Sequence, residues 1–155
     1  MGRIDARLKQ LKLELPSITA PVANYVPWVR TGSLVFVSGQ LTTGPGKTLE
    51  YVGQVGKTIS VEEGQRAARL AAVNVLAVLN SALGGDLDRV TRVVKVTGFV
   101  NAEPGFSQHP EVVNGASDLF VEVFGDIGRH ARAAVGAGSL PRNVAVEIEA
   151  IFETA

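Results

Sequence analysis

The sequence predicts an α+β fold, a mixed β-sheet packed on one face by two main helices. Three observations predict it. Residues 60–85 carry one long helix with a start signal, a wide apolar face and a stop; residues 109–125 carry a second helical period; and the flanking segments are runs of Val, Thr, Phe and Ile bounded by turn residues. The resulting order is strand, strand, helix, strand, helix, strand, strand, and the 155 residues suit a single domain, 1–155.

The elements follow in chain order. In "RIDARLKQLK", 3–12, Ile4, Leu8 and Leu11 share one helical face, which predicts a short helix stopped by Pro16 and makes 1–16 a helical extension. "NYVPWVRTGSLVFVSGQL" holds two β-rich runs around Thr31-Gly32-Ser33, a hairpin whose first strand is bent or on an edge because Pro27 lacks an N–H. Residues 42–56 are rich in Gly and Thr without an apolar period and read as an extended loop. Ser60 and Glu63 form a capping box and Gly84-Gly85 a stop, so the helix spans 61–83. "DRVTRVVKVTGFVNA" is a strand. Pro110 opens the second helix, with Val113, Ala116, Phe120, Val123 and Phe124 at helical spacing and Gly125 as its stop; His109 belongs to its start. The stretch "HARAAVGAGSLPRNVAVEIEA", 130–150, reads as two more strands joined at Leu140-Pro141.

Strand alternation leaves too much apolar surface for two helices to cover. In 93–100, Val94, Val96 and Val100 oppose Val93 and Phe99, and in 131–137 the residues facing Arg132 across the pleat are nearly all Ala or Val. A partner subunit is the expected cover; a third layer made by the N-terminal helix and the 42–56 loop is the alternative.

Composition narrows the function classes. The absence of cysteine removes disulfides, thiolate metal sites and a cysteine nucleophile. Lys plus Arg equals Asp plus Glu at 15 each, with no basic run interleaved with aromatics, so no nucleic-acid partner is expected. A charged start without an apolar core and the lack of a long apolar segment predict a cytoplasmic protein with no membrane partner.

Several residues in one arrangement resemble a known family. "ARAAVGAGSLPRNVAVEIEA" is similar to the C-terminal pattern of the RidA/YjgF family, also called the L-PSP endoribonuclease family: an Arg, an apolar strand, Leu-Pro, a polar turn, then Glu-Ile-Glu-Ala. "VSGQL" at 37–41 resembles its Ser-Gly-Gln strand end, with Tyr25 at the usual interval before Ser38 and Asn114 on the second helix. The resemblance covers about residues 20–153 and implies a chorismate-mutase-like fold and a homotrimer with sites between subunits. It also implies hydrolytic deamination of reactive 2-enamines and 2-imines derived from amino acids, giving 2-keto acid and ammonia. His130, where a Pro or small residue is usual, and Ala134, in place of a frequent Cys, depart from the pattern, as do the N-terminal helix and the 42–56 loop.

The chemistry suits these residue types. A guanidinium holds a carboxylate by two parallel charge-assisted hydrogen bonds, which assigns Arg132 to the substrate carboxylate. A carboxylate can align or deprotonate a water, and the resemblance selects Glu147, with Arg132 and Glu147 as the catalytic pair. Tyr25 supplies an aromatic wall, Ser38 and the Gly39 backbone hydrogen-bonding groups, and Asn114 orients water or substrate. No metal or organic cofactor is required. Each residue has a plainer reading: a cross-hairpin ion pair for Arg132 with Glu147 or Glu149, packing for Tyr25, and a strand-end hydroxyl for Ser38. Asn114 could be an ordinary exposed helix residue. His130 reads as a strand-end surface residue, with proton transfer as the alternative. A trimeric binding or sensor protein for a small carboxylate, without turnover, is the second function class.

Overall fold

The computed structural model describes residues 1–18 and 23–155. Its elements are α1 (Arg3–Gln10), β1 (Trp28–Thr31), β2 (Leu34–Gln40), α2 (Val61–Ala82), β3 (Val90–Asn101), α3 (His109–Phe124), β4 (Ala131–Ala137) and β5 (Val146–Thr154), with 3-10 turns at Pro45–Lys47, Leu87–Arg89, Gly125–Gly128 and Pro141–Asn143. The mixed sheet has five strands in the order β1-β2-β5-β3-β4. Only β3 and β4 run parallel, because α3 carries the chain back across the sheet between them. The α+β class with two main helices on one face holds.

Local chemistry places most boundaries. Ser60 Oγ accepts from Glu63 N–H at 3.1 Å while Glu63 returns a bond to Ser60 N–H at 2.8 Å, so α2 starts where its capping box does. It ends at Ala82, with Gly84 at φ 65° and Gly85 at φ 89° in the left-handed region beyond it. The β1–β2 hairpin closes at Thr31↔Leu34 through Gly32 at φ 57°.

The N-terminal helix is shorter than Pro16 would have it. Lys12 turns left-handed at φ 55°, Lys12 N–H donates to Lys9 O at 3.0 Å and Leu13 N–H to Leu8 O at 2.9 Å, the paired bonds that close a helix end. At the other end Asp88 accepts from Arg3 N–H at 2.8 Å and Ile4 N–H at 2.9 Å, so a carboxylate far along the chain satisfies two otherwise orphaned donors. Asp88→Ala is expected to cost about 0.5–2 kcal/mol of stability. A urea midpoint lowered at unchanged slope would show it, and an unmoved midpoint would contradict it.

The 130–150 stretch is not a hairpin. β4 lies on the sheet edge against β3, whereas β5 enters between β3 and β2, so β3 separates the two strands. The Leu140-Pro141 segment is therefore a crossover around the end of β3, with Arg142 at φ 55° and Asn143 at φ 60° making the turn. The physical reason is that β5 finds two long unpaired edges, those of β2 and β3, and pairing both satisfies more backbone than a local hairpin with β4 alone. The proposed cross-hairpin ion pair of Arg132 falls with it.

The helix-facing side of the sheet is the core. Val146, Ile148, Ala150 and Phe152 of β5 are all buried there beneath α2, with Phe152 reaching Phe120 of α3. The helices approach closely: a Cβ on Gly115 would overlap the Gln65 carbonyl oxygen, so only glycine fits at that crossing. Val93 and Val96 both reach this core, against strict alternation, because β3 slips register between Val93 and Lys95. Among the described residues, the opposite side stays open. Val29, Phe36 and Val135 remain 51%, 40% and 44% exposed on it. α1 does not cover it, since it packs on α3 and the Leu87–Arg89 turn, and the 42–56 loop reaches one end only, through Val52↔Val144 and Asn101 Nδ2 to Gly53 O.

Candidate functional site

The residues nominated from sequence fall into two groups. The first surrounds the end of β2. β1 pairs with β2 no further than Trp28↔Val37, and β2 departs from its register with β5 between Val37 and Gln40, leaving Ser38 and Gly39 in a bulge. Ser38 N–H donates to Pro27 O at 2.9 Å and its hydroxyl to Val26 O at 2.7 Å, so Ser38 ties down the segment before β1 and keeps only its lone pairs for a ligand. Tyr25, 59% exposed, lies beside it. Tyr25, Ser38 and Gly39 line an open cleft of about 760 Å³ that Leu15, Ile18, Leu70 and Val73 extend. Neither Arg132 nor Glu147 lines this cleft, so its size alone does not locate the chemistry.

Glu147 approaches the bulge from β5. A Cβ on Gly39 would overlap its Oε1 and lie 3.0 Å from its Cδ, so the glycine makes room for the carboxylate. In the sheet Glu147 stands opposite Phe99, which stands opposite Val135, on the open face. Burial raises the Glu147 carboxyl above the ordinary glutamate value, and the charge of Glu149, one pleat along the same face, raises it further. The folded protein thus holds this proton more tightly than the unfolded chain. Its contribution to stability falls as pH rises through the interval between the ordinary glutamate value and the raised one. A ¹³C-detected titration should find Glu147 above the ordinary value, and Glu149→Gln should move it down; a midpoint indifferent to Glu149 would remove the charge coupling.

The second group joins α3 to β4. Asn114 and Ser117 lie three residues apart on one face of α3. Arg132 Nη1 donates to Asn114 Oδ1 at 2.8 Å and to Ser117 Oγ at 3.2 Å. Among the described residues no carboxylate lies within 4.0 Å of this guanidinium, and its Nε and Nη2 have no hydrogen-bond partner. Asn114 therefore serves the arginine here. Ser117, which nothing nominated from the sequence, joins the group; its only sequence signal is the spacing from Asn114. His130 is no surface residue: it is half-buried, edge-on to Phe120 with ring centres 6.0 Å apart, and bonded at both nitrogens.

The groups do not meet within one chain. Arg132 pairs with Val96 and points to the helices, whereas Glu147 pairs with Phe99 and points to the open face. Two strand spacings and three residues along β3 separate their backbones by about 14 Å. Among the described residues no cluster of three His, Asp or Glu side chains could hold a metal ion, and no helix is long and apolar enough to cross a membrane.

The comparisons with known proteins agree on one family. Residues 5–153 match the model described as "YjgF/chorismate_mutase-like, putative endoribonuclease". The chain is 48% identical over 154 residues to Protein TCP17 of Trypanosoma cruzi, covering 98% of this chain and 94% of that one. It is 28% identical over 139 residues to a 2-iminobutanoate/2-iminopropanoate deaminase of Dermatophagoides farinae, covering 90% and 92%. The crystal structure of Atu1372 from Agrobacterium tumefaciens, a protein of unknown function, superimposes with a TM-score of 0.90 at 48% identity, covering 98% and 94%.

Proposed function

The chain belongs to the YjgF/chorismate-mutase-like family, and from that premise we propose that it is a hydrolytic deaminase of reactive 2-enamines and 2-imines derived from amino acids, working at sites between the subunits of a homotrimer. The observation that carries this reading is Arg132, a cation held in place, among the described residues, by neutral groups alone with one guanidinium edge unpaired. Such an edge matches a carboxylate in shape and charge. The deaminase of Dermatophagoides farinae among the relatives gives the chemistry a precedent.

The reaction divides between the two groups. Nε and Nη2 of Arg132 bind the two oxygens of the 2-imino acid carboxylate, placing the C=N carbon at the open edge of β4. Glu147 of a neighbouring copy takes a proton from water as the water oxygen adds to that carbon, and returns it to nitrogen, to which the C=N pair has moved, giving the carbinolamine. Glu147 then takes the carbinolamine O–H proton and passes it to the amino nitrogen, so the C–N bond breaks with release of NH3 as the C=O bond of the 2-keto acid forms. A carboxyl with a raised affinity for protons suits both halves of this exchange. Ser38 can accept from water or from the leaving nitrogen, and Tyr25 closes the site. The open apolar face supports the assembly: Val29, Phe36 and Val135 would be covered by another copy, together with the row that carries Glu147.

Freshly generated imines of several amino acids, assayed for keto acid and ammonia, test the activity, and light scattering tests the assembly; absence of turnover with every imine would reject the reading, and a stable monomer at micromolar concentration would reject the shared site. Arg132→Lys keeps the charge but loses the two-point edge, and is expected to weaken keto-acid binding and turnover together by about 1.5–3 kcal/mol.

A further inference from the structure

We propose that Ser117 and His130 are positioning residues for Arg132, forming a hydrogen-bonded relay of fixed polarity that aims its free edge at the ligand carboxylate. The inference rests on the reading of Arg132 as the carboxylate clamp.

The polarity follows from the groups that can only accept or only donate. His130 Nδ1 lies 2.7 Å from Gly128 O, a carbonyl, so Nδ1 carries the proton. On the neutral ring Nε2 is then an acceptor, and the hydroxyl 2.8 Å away, Ser117 Oγ, donates to it. With its proton committed, Ser117 turns its lone pairs toward Arg132 Nη1 at 3.2 Å. The second Nη1 hydrogen goes to Asn114 Oδ1 at 2.8 Å. Nη1 is thereby saturated, and the guanidinium can neither rotate nor present that nitrogen to a ligand. What remains is the Nε and Nη2 edge. Every member of the relay other than Arg132 is neutral, so none competes with a substrate for the charge.

The ring is held from the side as well. Phe120 meets it edge-on at 6.0 Å and is itself locked in the core against Phe152 at 5.8 Å. Burial keeps the His130 imidazole below its ordinary proton affinity against the opposing pull of the Gly128 carbonyl, and the nearby Arg132 charge adds to the effect, which agrees with a neutral ring.

Two measurements test this. In ¹⁵N NMR at neutral pH, His130 should be the Nδ1–H tautomer, and Ser117→Ala should shift Nε2 alone by removing its donor. An Nε2–H or doubly protonated ring overturns the relay whatever the enzyme does. In the second, pyruvate binding by calorimetry and imine turnover are compared across variants of matched stability. Ser117→Ala and His130→Phe should each weaken pyruvate about tenfold, Ser117→Thr and His130→Gln should restore most of it because each returns the bonding atom, and KM should move more than kcat. Equal affinity in wild type and in folded Ser117→Ala overturns the proposal, as does failure of both conservative variants to rescue. A wild-type protein that binds pyruvate but hydrolyses no imine defeats the deaminase reading alone; one that binds neither defeats the clamp and the relay with it.

Discussion

Glu147→Gln is expected to lower imine turnover by about 10²–10⁴-fold while leaving keto-acid affinity nearly unchanged. Glutamine preserves the size of the side chain and one acceptor oxygen, so the contact with Gly39 and the packing beside Phe99 survive. It cannot take a proton from water or return one to nitrogen. Because the carboxylate of a bound 2-keto acid is assigned to Arg132, a difference measurement separates chemistry from binding: kcat falls, and the pyruvate dissociation constant holds. A sensor without turnover would show at most the second quantity moving. Unchanged imine turnover in Glu147→Gln would leave the carboxylate without its hydrolytic role. Glu149 supplies the control from the same face of the same strand. It is exposed and opposite Thr97, two residues from Gly39's contact, so Glu149→Gln should change the titration of Glu147 and little else. If Glu149→Gln abolished turnover in a folded protein, the wrong carboxylate would have been chosen.

The helix 61–82 was legible because its signals are local: Ser60 and Glu63 sit three residues apart, and the stop is Gly84-Gly85. The β1–β2 hairpin was legible for the same reason. Proximity in sequence favours a hairpin over 130–150, whereas the partners of β5 are β2 and β3, strands far away in the chain. The apolar alternation of β3 was correct in composition and wrong in phase at Val93, since a register slip leaves no mark in residue type. Arg132 and Glu147 were nominated through a patterned resemblance, but that they point to opposite faces depends on the crossover. Ser117 was silent for a related reason: a serine on a helix means nothing until β4 brings an arginine and a histidine against it.

The opposite facing of Arg132 and Glu147 leads to the last expected result: two inactive proteins should make an active one. If each site takes Arg132 from one copy and Glu147 from its neighbour in a three-fold ring, Arg132→Ala chains still carry a good carboxylate and Glu147→Gln chains a good arginine. After dissociation and reassembly at equal amounts, a site works when the arginine side comes from a Glu147→Gln chain and the carboxylate side from an Arg132→Ala chain, which random mixing produces in about a quarter of the sites. Turnover should therefore rise from the near-zero level of either variant to about a quarter of the wild-type value per site. The same geometry fixes the converse experiment. In an equal mixture of wild type with the double variant, about a quarter of all sites should work, whereas a site complete within each chain would leave about half of all sites working. No recovery in the first mixture, together with half retention in the second, would place the reacting groups in a single chain and require β4 or β5 to move, since the sheet as it stands holds their side chains on opposite faces. Recovery to a quarter would instead fix the number of chains per site at two, and the open apolar face bearing Phe36, Phe99 and Val135 would be the surface that brings them together.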